Sequence, residues 1–246
     1  MGARPLSRSR PEQHEKPRLG HVKPLGVITG LLSEARCFGR KPSDRLRVTS
    51  VGADERRAGE AARRLLAQGA GALASFGIAG GLDPDLPAGR VIVSDTILVP
   101  DGASLVGDKG WAERLAEALS GDCGRCPVLG VARPLVTAGE KADWFARTGA
   151  GAVDMESHAV ARVALEAGLP FIAVRAVADP ARRSLPRAAL TPLQPDGKAD
   201  LGPLILGLLA RPWEIPALFT LAADTGSALR ALRRVALAAP VLALGL

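Results

Sequence analysis

The chain predicts an α/β fold: a single domain in which a sheet is flanked by helices on both faces. Three observations predict it. Short apolar runs alternate along the chain with helical patterns, the signature of strands joined by crossover helices. One of those runs, Phe171 to Val177, is nearly all apolar, as a strand covered on both faces requires. At 246 residues and 47% hydrophobic content, the chain is long enough to build one large core.

The elements follow in order. Leu25 to Thr29 reads as a first buried strand entering Gly30, and Leu46 to Val51 alternates with period two as a second. Asp54 is placed to cap a helix whose Ala58, Ala61, Ala62, Leu65 and Leu66 share one face, with Gly69 as its stop. Ala72 to Phe76 forms a buried strand running into the glycine-rich Gly77-Ile78-Ala79-Gly80-Gly81. Arg90 to Val99 is one long strand with a bend near Ser94-Asp95, Gly110 to Leu119 a helix, Val128 to Val131 a strand, and Glu140 to Arg147 a short helix. Ala152-Val153 leads into Asp154-Met155-Glu156-Ser157, and Ala159 to Ala167 is a helix ended by Gly168 and Pro170. Ala181 to Asp200, rich in Pro and Arg, is a loop or lid, and Leu201 to Leu237 is helical with breaks at Pro212 and Pro216. This gives a basic, flexible arm over residues 1–24, an α/β domain over 25–200, and C-terminal helices over 201–246 packed on the same domain.

Composition narrows the function classes. The balance of 32 Lys plus Arg against 25 Asp plus Glu gives a charge of +7, much of it in the Arg- and Pro-rich first segment, which has no apolar periodicity. Nucleic-acid binding lacks any recognition motif, and 3% aromatic content leaves little for base stacking. Cys37, Cys123 and Cys126 are too few for a disulfide scaffold and suit a reducing cytosol. Cys123-Gly-Arg-Cys126 lacks further soft ligands nearby, and His14, His21 and His158 show no ligand spacing, so no metal is expected. No leader-like apolar segment opens the chain, and no apolar run reaches the roughly 20 residues of a membrane helix. In the tail, Leu229, Leu232, Val235 and Leu237 alternate with Arg230, Arg233 and Arg234. That pattern is written either by a helix docked on the domain, the preferred reading, or by a basic interfacial helix on a membrane. The expected location is the cytoplasm, with peripheral contact to the inner face of the membrane as the second reading.

In an open α/β sheet, ligands sit beyond the carboxyl ends of the strands. Four candidate groups fall there: Glu34, the Gly77 to Gly81 loop, Met155-Glu156 and Asp179. The glycines permit close backbone approach to an anion or sugar, although a tight turn alone accounts for them too. Glu156 stands at a strand-to-helix junction, where it either caps the helix or accepts hydrogen bonds from a sugar diol. Asp179 before Pro180 either begins a turn or holds a proton for a leaving base, its pKa raised by burial.

Together these residues resemble the superfamily of purine nucleoside phosphorylases and methylthioadenosine/S-adenosylhomocysteine nucleosidases. The likeness rests on Gly30-Leu31-Leu32-Ser33-Glu34, Phe76 to Leu82 with Gly89 to Asp95, Val153 to Ser157, and Val174 to Asp179, in the family's order. Phe76 to Pro84, Asp154-Met155-Glu156-Ser157-His158 and Ala178-Asp179-Pro180 most resemble the hopanoid-associated phosphorylase branch. The resemblance implies a central mixed sheet and cleavage of the N-glycosidic bond of a purine nucleoside, by phosphorolysis or hydrolysis. For the narrower branch it implies release of adenine from lipid-linked adenosylhopane in hopanoid biosynthesis. No cofactor is implied beyond phosphate as a co-substrate, and a homo-oligomer is expected by analogy.

Carried over, the likeness makes Asp179 the group that protonates the departing purine and Glu34 the group that positions water or phosphate. Met155 and Glu156 then hold the ribose beside Val153 and Asp154, and Gly77, Ile78, Ala79 and Gly80 line the pocket. Arg36, Arg182 and Arg183 are phosphate candidates on charge alone. Ile78 and Ala178 stand where the nucleosidases carry serines, and no aromatic stacking residue marks the purine pocket near Thr137 to Lys141. A nucleoside-binding or scaffold protein without catalysis is the alternative.

Overall fold

The computed structural model describes residues 23–39, 45–119, 123–190 and 211–237. Most of the expected N-terminal arm, the 191–200 part of the loop and the 201–210 part of the expected helical tail lie outside the described residues.

The first strand, β1 (Leu25–Thr29), pairs in parallel with β2 (Leu46–Ser50) and with β3 (Ala72–Gly81). On its other side β3 pairs in parallel with β10 (Phe171–Asp179), which is antiparallel to β4 (Val91–Ser94). Beyond Phe76, β3 continues far enough for Gly80 and Gly81 to pair antiparallel with β9 (Ala152–Asp154). From there β9 is parallel to β8 (Val128–Gly130), which is parallel to β5 (Thr96–Leu98). Asp95 alone separates β4 from β5. The sequence β3, β10, β4–β5, β8, β9 therefore returns to β3, so the mixed sheet folds over into a ring at the end where the candidate residues lie. The long strand expected over Arg90 to Val99 is thus two strands with its bend at Asp95.

Two short strands escape the sequence pattern. They are β6 (Ser104–Val106), antiparallel to β5, and β7 (Cys123–Gly124), parallel to β4. Neither is long enough to display a period.

Helices cover both faces, and the alternation of β10 shows why. Phe171, Ala173 and Val177 point to a core with α2 (Glu55–Ala67) and α5 (Ser157–Glu166), while Ile172, Val174 and Ala176 point to one with α3 (Lys109–Ala118) and α6 (Ile215–Leu237). Each fully buried Val, Leu or Phe contributes about 1.5–3 kcal/mol to this packing. Asp54 caps α2, accepting from Arg57 N at 2.8 Å, and Gly69 and Gly168 end α2 and α5 with φ of 90° and 64°. In α4 (Ala138–Thr148), Thr137 Oγ1 accepts from Glu140 N and Glu140 Oε2 accepts from Thr137 N, both at 3.1 Å, a reciprocal cap.

The break expected at Pro216 is not there. Pro216 sits in the first turn of α6, where a helix has no use for the missing N–H, and the break falls earlier, at the 3₁₀ turn Pro212–Glu214. The C-terminal half of α6 buries Ala228, Ala231, Leu232, Val235 and Ala236 against the sheet. Leu232 and Val235 are therefore taken up by packing, which leaves only Leu237 of the proposed interfacial face well exposed, at 73%.

Candidate active site

Glu34 belongs to the single turn α1 (Leu32–Ala35) that follows β1. Leu31 N donates to its Oε2 and Ile78 N to its Oε1, each at 2.8 Å, so the carboxylate ties the end of β1 to the glycine-rich half of β3. Burial raises its pKa, opposed by those two N–H donors and by the Arg175 cation.

The junction of β9 and α5 divides two carboxylates between two tasks. Asp154 caps α5: Ser157 N donates to its Oδ2 at 3.2 Å, and Ser157 Oγ donates to the same oxygen. Glu156 occupies the N-cap position of α5 without a side-chain cap bond. Its carboxyl group is therefore free of the role that the sequence offered as its alternative. Burial pushes Glu156 up to about 8, with Arg175 opposing and the Asp154 and Glu34 carboxylates adding to the rise.

Arg175 lies beneath both. Its side chain is 1% exposed; Nη2 donates to Ser75 Oγ at 2.5 Å and to Ser157 Oγ at 2.9 Å, pairs with Asp154, and stands 3.6 Å from Glu156 Oε2. Gly77 makes room for this arrangement. A Cβ there would lie 2.6 Å from Arg175 Nη1 and 2.7 Å from Glu34 Oε1, closer than real contacts allow.

Asp179 closes β10 after a register shift between Val177 and Asp179, a bulge of the kind that re-aims side chains at sites. Ala178 and Asp179 both border the cavity as a result. Burial raises the Asp179 pKa, opposed chiefly by Lys141, whose Nζ is 2.5 Å from Asp179 Oδ2.

These groups share one cavity of about 280 Å³. Glu34, Ile78, Ala79, Gly80, Val153, Asp154, Met155, Glu156 and Asp179 all border it. The carboxylate of Asp154 is nevertheless engaged by Arg175 and Ser157 rather than presented to a ligand. Gly77 does not border the cavity; its place is behind the wall, where its missing side chain admits Glu34 and Arg175. None of the three phosphate candidates borders the cavity: Arg36 is an exposed residue of the turn after α1, Arg182 is exposed beyond the end of β10, and Arg183 pairs with Asp224. Among the described residues, the wall carries no Lys, Arg or aromatic side chain. Apart from Thr225 the rest is apolar, with Leu31, Val131, Leu135, Leu185 and Leu221 among its members.

Sequence reasoning missed three contributors. Arg175 left a signal, a lone cation within an apolar strand. Lys141 left none, because a lysine in an amphipathic helix reads as solvated. Ala53, which borders the cavity with φ of 50°, is a non-glycine residue in left-handed backbone, a conformation costing about 1–2 kcal/mol.

The ring of strands thus gathers a buried carboxyl cluster at one end of the α/β sheet, where ligands of such sheets sit. Residues 51–192 match the phosphorylase superfamily, and the chain belongs to that family. No curated protein matches it in sequence. Among solved structures, it is similar to an S-adenosylhomocysteine nucleosidase from Streptococcus pyogenes in complex with 5-methylthiotubericidin. That match has a TM-score of 0.60 at 19% identity and covers 66% of this chain and 86% of that one. A methylthioadenosine/S-adenosylhomocysteine nucleosidase from Colwellia psychrerythraea in complex with adenine matches at 0.60 and 18%, over 77% and 96%. A futalosine hydrolase mutant from Helicobacter pylori matches at 0.56 and 17%, over 63% and 89%.

Proposed function

We propose that the protein cleaves the N-glycosidic bond of a purine nucleoside by hydrolysis. The observation that carries this is the convergence of Glu34, Glu156 and Asp179 on one cavity, with burial favouring the protonated form of Asp179. In the reaction, the bond from the sugar C1′ to the purine N9 breaks and a bond from C1′ to a water oxygen forms. Glu34, held by two backbone N–H groups, orients that water and takes its proton. Glu156 accepts hydrogen bonds from the ribose hydroxyls as the ring flattens and gains positive charge. Asp179 gives its proton to N7 of the departing base, a transfer worth about 10² to 10⁴ in rate.

Water is favoured over phosphate because the described wall offers no cation to hold a phosphate, and Arg36 and Arg182 lie elsewhere. The structural neighbours named as nucleosidases and a hydrolase support the same reading. The isoleucine at position 78 is compatible with it, since Ile78 holds Glu34 through its main-chain N–H.

The finer substrate we infer from the resemblance is adenosine carrying an apolar 5′ substituent, as in adenosylhopane. The apolar wall formed by Leu185, Ala189 and Leu221 supports it. Adenine release from adenosine, 5′-methylthioadenosine and adenosylhopane, with and without phosphate, is the test. Free adenine and an unphosphorylated sugar are expected, with Asp179→Asn slower by two or more orders of magnitude on the scale above. A phosphorylated sugar product would overturn hydrolysis, and a lack of base release from all three would overturn the enzymatic reading.

A further inference from the structure

The one buried residue of α4 is a lysine. Its neighbours on the helix that face the core, Trp144 and Phe145, are only partly buried, yet the Lys141 side chain is 0% exposed. Burying an ammonium group is costly unless it is fully paired, and Lys141 is. Nζ reaches Asp179 Oδ2 at 2.5 Å, Arg183 O at 2.9 Å, Pro180 O at 3.2 Å and Asp179 O at 3.4 Å. Every partner is an acceptor. A neutral amine would aim a lone pair at one of these oxygens, so these partners favour the protonated form, against the burial that lowers the Lys141 pKa.

This pairing restrains Asp179 in two ways. One carboxylate oxygen and the main-chain oxygens of residues 179, 180 and 183 are gathered on a single cation, which fixes both the side chain and the loop that leaves β10. Asp179 itself borders the cavity. The charges facing Asp179 are Lys141 from α4, Arg183 from the following loop and Asp224 from α6, and the last two are paired with each other. Lys141 is therefore the cation that acts on Asp179 directly.

We propose that Lys141 is a positioning residue for Asp179: it aims the carboxyl group at the departing base and sets the pH above which that group no longer holds its proton. The proposal rests on the reading of Asp179 as the acid. Burial favours the protonated acid, whereas an opposite charge within about 4–6 Å lowers a carboxyl pKa by about 1–3 units. The balance of the two keeps Asp179 able to donate and able to be reloaded. Because Asp179 acts in its protonated form, activity falls as pH rises through its pKa. Removing the cation raises that pKa, so the alkaline limb moves upward.

The experiment compares the pH profile of kcat/KM for adenine release from 5′-methylthioadenosine and adenosylhopane in the wild type, Lys141→Met, Lys141→Arg and Asp179→Asn. Circular dichroism checks that each variant is folded, and Lys141→Gln, also neutral, replaces Lys141→Met if that variant is not. An upward shift of the alkaline limb by about 1–3 pH units in the neutral variant, absent from Lys141→Arg, is the expected result. The same titration is read without substrate from the ¹³C shift of the Asp179 carboxyl group, whose midpoint is expected to rise equally. A folded neutral variant with an unmoved limb and midpoint, in a protein where Asp179→Asn abolishes release, overturns the role of Lys141 and leaves the acid in place. Near-normal turnover by Asp179→Asn overturns the acid itself and this proposal with it.

Discussion

Glu156 is held where its charge is unfavourable, and the consequence extends to stability. Its pKa rises from an ordinary 4.5 to about 8 on folding, mainly through burial. Between those values the folded chain keeps a proton that the unfolded chain has released, so its contribution to stability is full below about 4.5 and is lost as pH rises toward about 8. Glu156→Gln carries no such charge at any pH. Its melting temperature is expected to exceed that of the wild type by a margin that widens from pH 5 to pH 9, while base release falls. A margin that stays constant across that range would show that Glu156 titrates normally. The three carboxyl groups were legible in the sequence because strand ends are marked by the apolar runs that precede them. Their cations were not: burial of Lys141 depends on where α4 lands, which no local pattern records.

At the scale of elements, the junction between β9 and α5 shows how one residue secures several others. Asp154 caps α5 through Ser157 and neutralises Arg175, which in turn stands under Glu34 and Glu156. Loss of the cap costs about 0.5–2 kcal/mol, and removing one partner of a buried ion pair costs about 3–5 kcal/mol. Asp154→Ala is therefore expected to be severely destabilised in urea unfolding, and Asp154→Asn, which retains an acceptor for the helix end, less so. Equal midpoints for the two variants would place the whole effect in the lost charge. The main elements were readable because each carried its own punctuation, such as Asp54 before α2 and Gly168 after α5. The two- and three-residue strands β7 and β6 were not, since their pairing is imposed by β4 and β5. Glu156 and Asp154 illustrate the same limit within the site: the sequence offered Glu156 as a cap, and only the turn geometry gives that role to Asp154.

On the scale of the whole molecule, α6 joins the cavity to the outer surface. Leu221 and Thr225 of its inner side border the cavity, and Leu232 and Val235 fix its far end in the core. Its near end is exposed, with Trp213 at 72%, Ile215 at 40% and Phe219 at 74%. No described helix is long and apolar enough to cross a membrane. Arg211 lies beside these side chains, and near an anionic surface a basic side chain contributes about 1 kcal/mol of attraction, screened by salt. The second reading of the sequence, contact with an anionic bilayer, would fall to this exposed end. Leu232 and Val235 of the Leu- and Arg-rich turns are taken up by the core, so most of the exposed large apolar side chains of this segment lie near residue 213. Burying Trp213 and Phe219 in the headgroup region contributes about 1.5–3 kcal/mol for each, so the double variant Trp213→Ser/Phe219→Ser should bind vesicles at least tenfold more weakly. Flotation with phosphatidylglycerol-containing vesicles measures this, alongside adenine release from soluble 5′-methylthioadenosine, which neither side chain touches. Reduced flotation with unchanged turnover of the soluble substrate is the expected pair of results. Flotation equal to that of the wild type, or none by the wild type at low salt, would show that the aromatic end of α6 does not meet a membrane.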